Sequence, residues 1–138
     1  MNEFTTEYRV IYGDCDPFDV VYYGNYLDLF ERGRTELFRE LGMTYRQCQD
    51  LGIFTPVSET FCKYHKSARY DDVLLIATAI PWMKRVSIRF DYRIYRKETR
   101  ELLAEGYTVH AFVDQDGKLR RAPSELAEVA QKMLEPAN

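Results

Sequence analysis

Two aspartates flank a cysteine in Gly13-Asp14-Cys15-Asp16-Pro17, just ahead of a segment with helical periodicity. A carboxylate there faces the start of a helix, where unpaired backbone N–H groups and partial positive charge gather. That pairing supplies two ingredients of acyl transfer: a base or nucleophile, and donors for the charge that develops on a carbonyl oxygen. Tyr22, Tyr23 and Tyr26 follow and offer aromatic walls for an acyl group. The same residues also suit a plainer role, because acidic loops ahead of helices commonly cap them. Two other chemistries fit poorly. A calcium loop of the EF-hand type wants further ligands and a glycine, which Phe18 and Asp19 do not provide. An Asp-x-Asp phosphoryl-transfer nucleophile needs a parallel α/β sheet, and this chain lacks the alternating strands and helices that build one.

Other reactive side chains are scattered. Glu31 stands about two helical turns past Tyr23, within reach of the acyl end of a pocket, although a solvated helix charge reads the same way. Lys84 and Arg85 fall in a turn, and Lys66 and Arg69 form a second basic pair; either pair suits phosphates or open solvent. His65 and His110 fall in strand-like segments and read as structural, while Trp82 suits a hairpin end or an interface. Cys15, Cys48 and Cys62 show no Cys-x-x-Cys spacing and form no metal cluster with the two histidines. Three reduced thiols suit a cytoplasmic protein. No metal and no cofactor is called for.

The elements that must position these residues can be read from periodicity. Glu7 to Tyr12 alternates as a strand, and Gly13 to Val21 reads as a loop. From about Gly24 to Gly42 the period becomes helical, with Tyr26, Leu29, Phe30, Gly33, Leu37, Phe38 and Leu41 on one face. Gly33 sits mid-helix on that apolar face, where it costs about 1 kcal/mol against Ala, so another backbone is expected to pass close by. A short helix is expected at Tyr45 to Leu51, then strands at Phe54 to His65, Val73 to Ile80, Arg85 to Ile94 and Leu103 to Val113. Asp114 to Gly117 makes a turn, and Ser124 caps a last helix to about Leu134. The links between strands are too short for crossover helices, so the sheet is expected to be antiparallel and to wrap the long helix in an α+β sandwich.

The 138 residues fit a single domain spanning 1–138, with 46% apolar and 30% charged residues. The net charge of -3 argues against a nucleic-acid partner. No apolar run approaches the ~20 residues of a membrane span, and no leader-like segment opens the chain, so the expected location is cytoplasmic.

The stretch Gly13 to Tyr26 (GDCDPFDVVYYGNY) resembles the signature of the 4-hydroxybenzoyl-CoA thioesterase family of hot-dog proteins, which includes the tol–pal-linked acyl-CoA thioesterases. The likeness continues through Phe30 to Glu36, Tyr64 to Asp72 and Gly106 to Ala111, and so covers nearly the whole chain. The resemblance implies a five-stranded antiparallel sheet around a long central helix, a C-terminal helix, and hydrolysis of an aromatic or short-chain acyl-CoA. It assigns the catalytic carboxylate to Asp16 and the oxyanion donor to the backbone N–H of Tyr23, leaving Asp14 to orient the loop. Position in the sequence makes Tyr22 and Glu31 candidate substrate contacts, and the resemblance adds coenzyme A phosphates as ligands for basic surface residues, here Lys84 and Arg85, and dimers assembled into homotetramers. A thioesterase for acyl carrier protein, or a hot-dog module that binds acyl thioesters without turnover, are the alternatives. Three departures stand out. Asp19 replaces a common glycine, and either takes the left-handed conformation or places charge beside Asp16. Tyr23 replaces a histidine of the tol–pal-linked members, which favours a mechanism carried by aspartate alone. Ser67 replaces a proline, with no evident functional consequence.

Overall fold

The computed structural model describes residues 2–134. Five strands form one antiparallel sheet: β1 (Phe4–Arg9), β2 (Val57–Tyr64), β3 (Val73–Met83), β4 (Ser87–Arg96) and β5 (Leu102–Ala111), in the order β1-β3-β4-β5-β2. Helix α1 (Asn25–Leu41) packs on one face of the sheet, with the short α2 (Tyr45–Asp50) after it and α3 (Ser124–Leu134) closing the chain.

Hydrophobic period decides which residues meet. Along β4, Ile88, Phe90, Tyr92 and Ile94 are buried while the residues between them are not, the alternation a sheet with one dry face requires. From α1, Tyr26, Leu29, Phe30, Gly33, Leu37 and Phe38 go inward, and the Phe30 ring lies flat on Tyr92 at 4.2 Å between centroids. Gly42 ends α1 with a φ of 92°, where a side chain would be strained. Thr44 and Gln47 cap each other's backbone N–H at the start of α2.

Four expectations need adjustment. The first strand lies at Phe4–Arg9 instead of Glu7 to Tyr12, because Asp14 takes the Ile11 N–H and Tyr12–Asp14 coil into a 3-10 turn. The second strand starts at Val57, since Pro56 has no N–H for a ladder. The third continues through Pro81 to Met83, where a register shift between Ala79 and Trp82 absorbs the missing donor. Gly33 does admit a close neighbour, but the neighbour is not backbone. A Cβ there would collide with the Thr78 hydroxyl and the Ile76 methyl, both on β3. The other elements fall within a few residues of their expected positions.

Candidate active site

Asp14 and Asp16 are two residues apart and do different work. The Asp14 carboxylate is held through Oδ2, which accepts the Tyr8 hydroxyl at 2.7 Å and the Ile11 N–H at 2.9 Å. Its carbonyl accepts the Tyr22 N–H and the Asn25 side-chain amide, each at 2.9 Å. Asp14 therefore ties β1 and the 3-10 turn to the entry of α1. Residues Cys15 and Val21 pair across the neck of a small hairpin, whose far side joins residues 68–69 through the Val21 N–H to Ala68 carbonyl bond and a Val20–Arg69 bridge.

Asp16 sits inside that hairpin. Its N–H donates to the Val20 carbonyl, its carbonyl accepts from Asp19, and its Oδ1 accepts the Phe18 N–H, all at 2.9 Å. Its Oδ2 accepts no hydrogen bond among the described residues. Asp16 is half-buried, and one carboxylate oxygen is fixed while the other is left for a ligand. The capping role that acidic loop residues commonly play does not apply, because Gly24 is the N-cap of α1 and no side chain caps it. Asp19 has a φ of 62°, the left-handed conformation, so the aspartate occupies the backbone shape a glycine usually supplies.

The start of α1 provides the donors. Sequence periodicity put its first turn near Tyr23 to Tyr26; the helix starts at Asn25. The N–H groups of Asn25, Tyr26 and Leu27 are consumed in tight turns to the carbonyls of Tyr22, Tyr23 and Gly24. Those of Tyr23 and Gly24 have no acceptor among the described residues. A trans peptide places N–H opposite the preceding carbonyl. Because the Tyr22 and Tyr23 carbonyls point down the helix, the Tyr23 and Gly24 N–H groups point out of its N-terminal end, where the macrodipole is positive. The Tyr64 hydroxyl donates to the Tyr23 carbonyl at 2.9 Å and so fixes the Tyr23–Gly24 peptide plane.

Tyrosines line this end of the molecule. Tyr22 and Tyr23 are tilted against each other at 4.6 Å, and Tyr64 meets Tyr23 and Tyr26 edge-on at 6.4 and 5.1 Å. Tyr22 and Tyr23 are exposed, so their rings are available to a ligand. Burial, then a hydrogen bond with Cys62, pushes the Tyr64 phenol up to about 12, so it remains a donor at neutral pH.

The remaining sequence-derived residues lie elsewhere. Glu31 opens onto a cleft between α1 and α2, facing Arg34 at 3.9 Å. Lys84 and Arg85 are exposed in the β3–β4 turn and line a groove with Arg121 and Leu134; the Lys84 ammonium lies 4.6 Å from the Trp82 ring centroid. Ala68 and Arg69, which hold the Asp16 hairpin, precede β3, whereas Lys84 and Arg85 follow it; the ten residue steps of β3 alone separate the two ends by up to about 33 Å. Lys66 is paired with Glu101, whereas the Arg69 side chain is exposed beside the hairpin. His65 pairs with Glu105 at 2.8 Å, and His110 is buried in a polar chain with Thr108. Among the described residues, no three His, Cys, Asp or Glu side chains gather as metal ligands, and no helix is long and apolar enough to cross a membrane.

Two residues carry no signal that sequence reasoning used. Tyr64 meets Tyr23 across 41 positions of the chain, which no local pattern reveals. Arg34 is buried at 9% exposure, one turn after Phe30 and one before Phe38; that spacing on the apolar face is the clue that was available.

Residues 10–134 match the thioesterase-like superfamily. The acyl-CoA thioesterase YbgC of Haemophilus influenzae is 35% identical over 96 residues, which cover 69% of this chain and 71% of that protein. DHNA-CoA thioesterase from Staphylococcus aureus superimposes with a TM-score of 0.90 at 27% identity, over 96% of this chain and 91% of its own. A 4-hydroxybenzoyl-CoA thioesterase carrying an aspartate-to-asparagine substitution, solved with 4-hydroxybenzoyl-CoA bound, superimposes with a TM-score of 0.83 at 26% identity, over 93% and 98% of the two chains. The sheet wrapped on α1 is thus the hot-dog arrangement of these enzymes.

Proposed function

The chain belongs to the thioesterase-like superfamily and is an acyl-CoA thioester hydrolase, and on that premise we propose that Asp16 is its catalytic carboxylate and the Tyr23 N–H its oxyanion donor. The observation that carries this reading is the contrast at one loop: an aspartate with a free Oδ2 beside a helix start with two free N–H groups. That combination matches what acyl transfer demands, a nucleophile or base on one side of the carbonyl and donors on its oxygen. The aspartate-to-asparagine form of the 4-hydroxybenzoyl-CoA enzyme, which was captured with its thioester, supports the assignment by analogy.

The reaction runs in one of two balanced ways. In the covalent route Asp16 Oδ2 attacks the thioester carbon, the C–S bond breaks, coenzyme A leaves as thiolate, and water then cleaves the mixed anhydride. In the other, Asp16 takes a proton from water as its oxygen attacks the same carbon, the C–S bond then breaks, and the proton held by Asp16 passes to the leaving coenzyme A thiolate. Both put transient negative charge on the carbonyl oxygen at the Tyr23 N–H, with Gly24 as a second donor. A single turnover in oxygen-18 water tests the covalent route: where water cleaves the anhydride at the aspartyl carbon, label enters the Asp16 carboxylate and the first acid product takes an enzyme oxygen, an outcome that the water route cannot give.

The exposed rings of Tyr22 and Tyr23 favour an aromatic acyl group over a short aliphatic one. Lys84 and Arg85, at the far end of β3, serve coenzyme A phosphates only from a second copy of the chain. A homo-oligomer is supported by β2, an edge strand on which every residue except the half-buried Cys62 is exposed, including Phe61 and Tyr64. Dimers paired into tetramers would cover that edge, and sedimentation of the purified protein reports the state.

The decisive experiment gives the protein a panel of aromatic, short-chain and long-chain acyl-CoAs and follows released thiol with a chromogenic reagent. Asp16→Asn is expected to lower kcat by roughly 10²–10⁴-fold with KM little changed. Full activity in that variant would overturn the assignment.

A further inference from the structure

Arg34 is a charged side chain on the apolar face of α1, and its surroundings are unusual. Among the described residues the one carboxylate within 4 Å of it is Glu31, at 3.9 Å and itself 64% exposed. Its Nη1 donates to the Tyr92 hydroxyl at 3.3 Å. From there a chain of hydrogen bonds runs through Thr108 Oγ1 at 2.6 Å to His110 Nε2 at 2.8 Å, and from His110 Nδ1 to the Thr55 carbonyl at 2.9 Å. The carbonyl can only accept, so Nδ1 carries the imidazole proton and Nε2 accepts from Thr108. Thr108 then accepts from Tyr92, and Tyr92 from Arg34. Each hydroxyl turns its oxygen towards the guanidinium, so the chain solvates the buried cation with dipoles and brings no counter-charge.

Two donors remain unspent beside it. Arg34 Nε and the Tyr45 hydroxyl are both buried and near each other, and among the described residues neither has a partner in hydrogen-bond geometry. Arg34 and Tyr45 line the same cleft of about 320 Å³ between α1 and α2, with Glu31, Gln49, Phe54 and Thr55 around them. A buried donor left unmatched is destabilising, and a buried charge without a counter-ion is more so. Water would satisfy the donors and leave the charge.

We propose that this cleft binds a carboxylate, with Arg34 and Tyr45 as its donors and Glu31 as the side chain whose place the ligand's charge takes. Phe54 and the Tyr45 ring supply an apolar wall for the carbon skeleton. The site is separate from the Asp16 hairpin and does not depend on the thioesterase reading. The carboxylate belongs either to a free acid or to the far end of an acyl group.

Calorimetric titration with benzoate and with the isosteric, uncharged benzamide tests the proposal. Benzoate should bind one to one and benzamide roughly tenfold or more weakly. Tyr45→Phe should weaken benzoate by about tenfold without lowering the thermal midpoint, because the hydroxyl has no protein partner to lose. Glu31→Gln should tighten benzoate by removing the competing carboxylate, an effect a purely structural Arg34 would not produce. Asp16→Asn should bind benzoate as the unaltered protein does, which separates this cleft from a product site at the hairpin. Equal affinity for benzoate and benzamide, an unaffected Tyr45→Phe, or loss of binding in Asp16→Asn would each overturn it. Steady-state kinetics with glutaryl-CoA and butyryl-CoA then identify the source. A lower KM for glutaryl-CoA that vanishes in Tyr45→Phe places the carboxylate on the acyl group; equal KM values with benzoate binding intact make it a free acid. Only this last arm relies on thioester hydrolysis.

Discussion

At the scale of single residues, the site is organised by what each polar atom has already spent. Asp14 is tied into the scaffold, because its Oδ2 accepts from Tyr8 and Ile11 and its carbonyl accepts from Tyr22 and Asn25 at the entry of α1. Asp16 keeps Oδ2. The sequence pattern offers both aspartates equally, and only the resemblance separates them. Each keeps one carboxylate oxygen without a hydrogen bond among the described residues, and the structural difference is that Asp14 is tied to β1 and the entry of α1 whereas Asp16 bonds only within its own hairpin. Tyr64 is the residue whose role here is new. Its bond to the Tyr23 carbonyl holds the peptide that carries the Gly24 N–H, making it a positioning residue. Tyr64→Phe keeps the ring contacts with Tyr23 and Tyr26 and removes only that bond. We expect kcat to fall by about tenfold with KM nearly unchanged, in line with loss of one hydrogen bond felt mainly in the transition state. A rise in KM at constant kcat would instead place Tyr64 in ground-state binding.

At the scale of elements, most of the fold was legible and the exceptions share a cause. Each of the five strands and three helices α1–α3 has a counterpart in the sequence reading, most clearly β4 and α1, which bury one face at periods of 2.0 and 3.6. What periodicity missed were places where side chains compete with the ladder. Asp14 captures the Ile11 N–H and cuts β1 short, while a register shift carries β3 past Pro81. Gly33 was recognised as a close-approach position, yet the approaching group is a pair of β-branched side chains on a central strand. That identity decides a prediction. Alanine at 33 gains about 1 kcal/mol of helix propensity. It must also push Thr78 and Ile76, which are fully buried and stiff at χ1. Overpacking of this kind costs about 1–3 kcal/mol, so Gly33→Ala is expected to be destabilising on balance, read as a lower denaturant midpoint at unchanged slope.

At the scale of the whole molecule, the polar chain beneath α1 makes stability depend on pH. Burial is the main reason the His110 imidazole is pushed down to about 4, and the Arg34 charge adds to it, while the bond to Thr55 works the other way. Unfolded, the same group titrates near 6.5. Above that value neither state is protonated, and the group does not distinguish them. As pH falls from about 6.5 to about 4, the unfolded chain takes up a proton that the fold refuses, and stability declines by up to about 3 kcal/mol. Below about 4 the loss from this group levels off. Urea unfolding between pH 7 and pH 4.5 should show the decline, and His110→Gln, which cannot titrate, should flatten it. This dependence could not be read from the sequence. His110 looked structural there, and its partners Arg34, Tyr92 and Thr55 come from a helix, a strand and a loop brought together only by folding.

The same chain has one more property. Since Arg34 and the Thr55 carbonyl fix its two ends, every hydrogen between them has a single place to be, and no alternative orientation of the two hydroxyls satisfies both neighbours. Protons held this way leave for solvent slowly. The Thr108 and Tyr92 hydroxyls, which in most proteins exchange too fast to be seen, should therefore give resolved proton resonances, and the nitrogen-15 spectrum of His110 should report one tautomer.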